Sequence, residues 1–222
     1  MSKTKVFLTA LFLSVMIMYF WKSPWSPILD QRIQSKIVSS RIDEAISLLE
    51  WRTQYDFDES RKKEDLWKAA QLSYIRSDNI KRTRRLLELC LSLPYFEHTT
   101  QARIYLGNIT FEQDPKKGVA LWENSLKRDA DYERADRLWM RIATEYELLM
   151  EYDKAIYAWE KSSHYSSVSH MAHLALGRLK LKKDPSEALK HFQKVKKDQF
   201  MERTRAAELG EKLAQWELDK EK

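Results

Sequence analysis

Residues 103–125 read RIYLGNITFEQDPKKGVALWENS, and residues 173–195 read HLALGRLKLKKDPSEALKHFQKV. The second stretch repeats the pattern of the first. Leu106-Gly107, Asp114-Pro115, Gly118 and Trp122 return 70 positions later as Leu176-Gly177, Asp184-Pro185, Ala188 and Phe192. A second series interleaves with it: Trp67, Tyr74, Thr83 and Leu87 return 72 positions later as Trp139, Tyr146, Ala155 and Trp159. Together they give a period of about 34–36 residues, which marks a repeat architecture. Within each period the apolar positions recur at helical spacing in two segments separated by short polar breaks. Each unit is therefore a pair of helices, and stacked pairs make an α-solenoid. Asp114-Pro115 and Asp184-Pro185 each place an N-cap acceptor before a proline at the first helical position.

Composition excludes the main alternatives. The 222 residues include four glycines, five prolines and one cysteine. Phosphate-cradling loops need glycine so that backbone N–H groups can approach the ligand, and no Walker A or GxGxxG pattern can be written here. Turn-rich β folds draw on Gly and Pro as well. A lone Cys90 in an apolar run allows neither an internal disulfide nor a cysteine-based zinc site, and reads as a small buried hydrophobe. The net charge is +6, but residues 1–22 supply three lysines and no acid, leaving 36 basic against 33 acidic groups in the rest. A surplus of that size over 200 residues gives no expectation of nucleic-acid binding.

The repeat positions carry a resemblance. One unit reads Trp67, Ala70, Gln71, Tyr74, Thr83, Leu87, Cys90, closed by Pro94; the next reads Arg103, Leu106, Gly107, Thr110, Gly118, Trp122, Ser125. The third reads Trp139, Ile142, Ala143, Tyr146, Ala155, Trp159, Ser162, and the fourth His173, Leu176, Gly177, Lys180, Ala188, Phe192, Val195. This alternation of large and small residues resembles the tetratricopeptide repeat (TPR) family. A degenerate unit precedes them at Asp43-Glu44-Ala45 with Leu49. Glu202–Asp219 follows as one amphipathic helix with Ala206, Leu209, Gly210, Leu213 and Trp216 on its apolar side. The expected fold is all-α: a TPR-like solenoid of about four to five helix pairs with a C-terminal capping helix, after one N-terminal transmembrane helix.

That transmembrane expectation rests on Val6–Trp21, VFLTALFLSVMIMYFW, sixteen residues without a charge between Lys5 and Lys22. At about 1.5 Å per residue such a helix spans roughly 24 Å, a little short of the ~30 Å hydrocarbon core of a bilayer. Flanking lysines that snorkel, with Tyr19, Trp21 and Trp25, suit the interface. A cleaved signal peptide competes, but no small-residue cleavage site follows, so an uncleaved signal anchor over residues 1–22 is preferred. Residues 23–34, with Pro24 and Pro27, read as a spacer, and 35–222 as the repeat domain. Lys3, Lys5 and the α-amino group favour an N-in, C-out topology. In a bacterium this puts the repeat domain in the periplasm on an inner-membrane anchor; the cytoplasmic face is the alternative.

For function, the resemblance implies a concave groove, lined by the first helix of each pair, that holds a peptide or partner segment. It points Lys68, Tyr105, Asn108, Arg137, Met140, Arg141 and Arg178 to that groove, together with Leu72, Ile104, Phe111, Thr144 and Leu174. Lys68, Arg137 and Arg141 match basic positions of the clamp with which some TPR proteins hold a C-terminal carboxylate. Leu72 and Tyr105 replace its asparagines. An acidic or carboxylate-terminated peptide is the partner these charges favour, and solvated helix faces are the competing reading. His170-x-x-His173 lacks a nearby third ligand, so no metal and no cofactor are expected, nor is catalysis. Lys81–Arg85 and the basic stretch 178–203 read as solvated outer faces, and the Asn108 sequon as chance within a helix. The function expected is a membrane-anchored scaffold or adaptor that binds protein partners and organises an envelope complex. A cytosol-facing docking factor for a membrane machine or anionic lipid is the alternative, with a metal-dependent enzyme behind it.

Overall fold

The computed structural model describes residues 27–56, 58–195 and 201–220. The expected anchor over 1–22 and its apolar stretch 6–21 lie outside them. Among the described residues no helix is long and apolar enough to cross a membrane.

Eleven helices make up the described chain: α1 Pro27–Val38, α2 Ile42–Tyr55, α3 Glu59–Arg76, α4 Ile80–Ser92, α5 Thr99–Phe111, α6 Pro115–Arg128, α7 Ala135–Leu148, α8 Tyr152–Ser163, α9 Ser169–Lys180, α10 Pro185–Val195 and α11 Met201–Lys220. Among the described residues they make five successive pairs and a terminal helix, where about four to five pairs with a capping helix were expected. The spacer expected over 23–34 is helical from Pro27 onward. Proline is tolerated in a first helical turn, where its missing N–H has no partner to lose, and Leu29 and Ile33 bury α1 against the body. The anticipated caps are in place. Asp114 accepts from Lys117 N at 3.1 Å and Asp184 from Glu187 N at 2.9 Å. Asp58 and Asn79 cap α3 and α4 in the same way.

The single repeat domain expected over 35–222 divides into two compact units, one ending at Ile109 and the other starting at Thr110. In the first, Ile33, Ile46, Leu49, Leu86 and Leu87 are fully buried. A buried charge cluster joins three of its helices. Arg52 on α2 donates from Nε and Nη2 to the two oxygens of Asp65 on α3, at 2.6 and 2.5 Å, and also pairs with Asp30 on α1. The planar guanidinium matches a carboxylate in this bidentate geometry and leaves neither charge alone in the core. Where α3 crosses α4, Ser73 Oγ meets Thr83 Oγ1 at 2.7 Å, a small-residue contact at a repeat position.

In the second unit glycine makes close contacts at three helices. A Cβ on Gly118 would stand 2.5 Å from Phe111 Cα, so α6 approaches the end of α5 more closely than alanine permits. Trp122, fully buried, stacks on Phe111 with ring centroids 5.1 Å apart. The turn between α7 and α8 closes with Met150 in the left-handed region, φ 59°, while Glu151 N–H donates to Tyr146 C=O at 2.9 Å. This is the bond pattern that usually recruits glycine at a helix C-terminus.

Candidate functional site

An apolar cleft of the second unit is built from its last three helices and Trp159 of α8. Met171, Leu174 and Arg178 of α9, Phe192 of α10, and Leu209 and Leu213 of α11 line a cleft of about 480 Å³. Its existence follows from how α11 packs. Ala207, Gly210 and Ala214 form the buried face of that helix. Gly210 and Gly177 both press on Phe192, where an added Cβ would come within 2.5 and 2.6 Å of the ring. With small residues inward, the large ones on the neighbouring stripe turn outward: Leu209, Leu213 and Trp216 are 60%, 42% and 55% exposed. Spaced i, i+4 and i+7, they form one continuous strip along the helix.

The sequence places Ala206, Leu209, Gly210, Leu213 and Trp216 on the apolar side of this helix. Ala206, Leu209, Gly210 and Leu213 line the cleft together, and packing against Phe192 covers Gly210 while Leu209, Leu213 and Trp216 stay exposed. At the rim, Trp159 Nε1 donates to Glu147 Oε1 at 2.7 Å, and the Arg178 guanidinium pairs with the other oxygen of Glu147. Glu147 thus holds both polar groups at the edge while the cleft itself stays apolar.

The seven groove candidates fall in two sets. In the first unit, Tyr105 is stacked on Tyr74, ring centroids 4.0 Å apart, and packs on Trp67 at 5.7 Å. Asn108 donates from Nδ2 to the Tyr74 hydroxyl at 2.8 Å, and Lys68 is half-buried on α3. In the second unit, Arg137 is exposed on α7 and Met140 is half-buried one turn on. Arg141 lies over the Trp122 ring, 4.1 Å from its centroid, a cation–π contact that engages the guanidinium within the chain. Arg178 is at the cleft, paired to Glu147.

Part of the other singled-out features is engaged within the chain. Within Lys81–Arg85, Arg82 reaches Ser47 Oγ at 2.9 Å and Glu50 at 2.5 Å, and Arg85 also pairs with Glu50. In the basic stretch 178–203, Lys180 pairs with Glu160 at 2.9 Å, Lys183 with Asp153 at 3.3 Å and Lys190 with Glu187 at 2.7 Å. Burial pushes the Cys90 thiol up to about 12, which keeps it protonated and unreactive at neutral pH. Among the described residues no group of three or more His, Cys, Asp or Glu side chains is placed to hold a metal ion.

Helix pairs with small residues at their crossings, closed by a terminal helix, define a helical-repeat protein with the TPR fold. Solved structures share it. A crystal structure of MamA is 20% identical with a TM-score of 0.52 over 76% of this chain and 88% of that one. A second MamA crystal structure is 17% identical with a TM-score of 0.51, covering 85% and 95%. YrrB, described as a TPR protein with an unusual peptide-binding site, is 10% identical with a TM-score of 0.54, covering 87% and 96%. At these identities the likeness is one of fold. No protein-family model matches the chain, and no curated protein sequence matches it.

Proposed function

We propose that the chain is a membrane-anchored TPR scaffold that binds a protein or peptide segment and helps organise a membrane or envelope complex, without catalysis of its own. The observation that carries this reading is the outward strip Leu209, Leu213 and Trp216 beside the apolar cleft. Burying a side chain of this size is worth about 1.5–3 kcal/mol, so a surface that leaves three exposed together is one a partner can gain by covering. The peptide-binding site described for YrrB, which has the same fold, supports a peptide as the kind of partner. Apolar side chains of that segment would enter the cleft. Arg137, exposed on α7, and Arg178 at the rim suit an acidic flank or a terminal carboxylate through charge-assisted hydrogen bonds.

The anchor in this proposal is Val6–Trp21, with the repeat domain on the far side of the membrane from the N-terminus. A reporter active on one side only, fused after Lys222, tests the topology. Signal from a cytoplasmic reporter contradicts the periplasmic assignment. The scaffold reading is tested by a photo-reactive residue at position 213, irradiated in native membranes. A discrete crosslinked partner, absent when the probe sits at Lys190 on an outer face, is the expected result. Equal capture from both positions, or none from position 213, contradicts it.

A further inference from the structure

The outward strip of α11 is bordered by charges in an ordered arrangement. By helical spacing, Glu202 and Lys220 extend the line of Leu209, Leu213 and Trp216 at its two ends. Arg205, Glu208, Lys212 and Asp219 follow one edge of that line, and these charged residues are all exposed. The other edge, at Ala206 and Gly210, borders the cleft. Lys220 lies over the Trp216 ring and pairs with Glu217 of its own helix, and Asp219 accepts from Gln215. Among the described residues none of Glu202, Arg205, Glu208 and Lys212 is in an ion pair. On the two preceding helices, by contrast, Lys180 and Lys190 are paired with Glu160 and Glu187.

We propose that this strip docks on the same strip of a second copy of the chain, the two α11 helices running antiparallel. This pairing rests on the reading of the strip as a docking surface and names its occupant. Charge complementarity selects both the occupant and the direction. With the two-fold axis opposite residue 211, midway along the strip, Leu209 meets Leu213 of the second copy and Trp216 lies across from Ala206. Glu202 then faces Lys220 at each end. Along the edge, Arg205 faces Asp219 and Glu208 faces Lys212. Each charge of the strip thus meets an opposite one. A parallel alignment would instead set Glu202 against Glu202 and Lys220 against Lys220. Burial of the leucines and tryptophan supplies the attraction, and the charges fix register and direction. One helix pair covers less than the ~800 Å² per partner of a standard interface, so a dimer of micromolar affinity is expected. Copies held on one membrane by the proposed anchor would meet at a raised effective concentration.

The test uses the full chain in mild detergent, read by sedimentation equilibrium in density-matched buffer. A monomer–dimer equilibrium is expected, its dissociation constant raised about tenfold or more by Leu213→Asp. Glu202→Lys alone should weaken the dimer several-fold. Glu202→Lys with Lys220→Glu should restore it to within about twofold, because the two positions are too far apart along one helix to pair with each other. Both changes oppose the helix dipole, so restoration cannot come from a better helix. Register is read by mild oxidation of Glu202→Cys mixed with Lys220→Cys. The mixed disulfide should form and neither variant should crosslink to itself, Cys90 being buried. Only monomer at about 100 µM, a dimer that Leu213→Asp leaves intact, a double variant as weak as the single one, or self-crosslinking of Glu202→Cys equal to the mixture would each overturn the proposal. Photo-crosslinking from position 213 in native membranes separates self-pairing from the docking surface itself. A product of twice the chain's mass supports both; a different protein keeps the surface and overturns self-pairing; no product overturns both.

Discussion

The two compact units join their helices by different means. In the first, Arg52 reaches from α2 to carboxylates on α1 and α3, and Arg82 and Arg85 of α4 converge on Glu50 of α2. In the second, Gly118 brings α6 against the Phe111 backbone, and Gly177 and Gly210 bring their helices against the Phe192 ring. The consequences differ. A charge clamp satisfies itself inside the fold and offers nothing to a partner. A glycine contact uses up the small face of a helix and turns its large side chains outward, as α11 does with Leu209, Leu213 and Trp216. On α11 the mode of packing thus sets which side chains face outward.

The largest way to break this contrast is to remove the clamp of the first unit. Arg52→Ala strands the buried Asp65 carboxylate and should cost about 3–5 kcal/mol, read as a lower denaturant midpoint with helix content unchanged in the folded baseline. Arg52→Met with Asp65→Leu removes both charges and should recover most of that loss. A double variant as unstable as the single one would show that the clamp is not the joint.

The second unit is probed by Gly118→Ala. In an exposed helix this change stabilises by about 1 kcal/mol, because glycine is the poorer helix former. Here the new Cβ meets the Phe111 backbone, which cannot rotate away, and the expected sign reverses to a loss of about 1–3 kcal/mol in thermal or denaturant unfolding. Gly177→Ala and Gly210→Ala meet the edge of the Phe192 ring, which can shift, so their cost should be smaller.

The repeat was legible in the sequence because its signals are local: a period, helical spacing of apolar positions and Asp-Pro caps, each fixed by neighbours within a turn or two. The clamp was not. Arg52 and Asp65 lie 13 positions apart and Asp30 lies 22 from Arg52, and nothing in the spacing selects those three from 39 basic and 33 acidic residues. The same limit hid the contact of His191 with His173, 18 positions away on another helix. On α11 the apolar side was legible, but which of its residues are covered was not: the contact with Phe192 sets buried Gly210 apart from exposed Leu209 and Leu213. Of the groove candidates, Arg178 lies at the cleft, whereas Tyr105, Asn108 and Arg141 are engaged by Tyr74 and Trp122, contacts that depend on tertiary packing.

A smaller effect concerns acidity. The pKa of His173 is lowered by burial from an unfolded value of about 6.5 to about 4, so the unfolded chain binds more protons in that window. The stability contribution is present above about pH 6.5 and is lost as pH falls toward 4. Thermal midpoints measured from pH 7 to 5 should drop less steeply in H173N than in the unaltered chain. Parallel slopes would show that His173 does not contribute.

The cleft's role is tested most directly with Leu213→Asp, scored for partner capture and for folding in the same preparation. Because Leu213 is already exposed, the unfolding midpoint should stay within about 0.5 kcal/mol of the unaltered chain. Crosslinking from an adjacent position, such as 209, should meanwhile fall to background. Capture that persists at full strength in a folded Leu213→Asp protein would contradict the cleft as the binding surface.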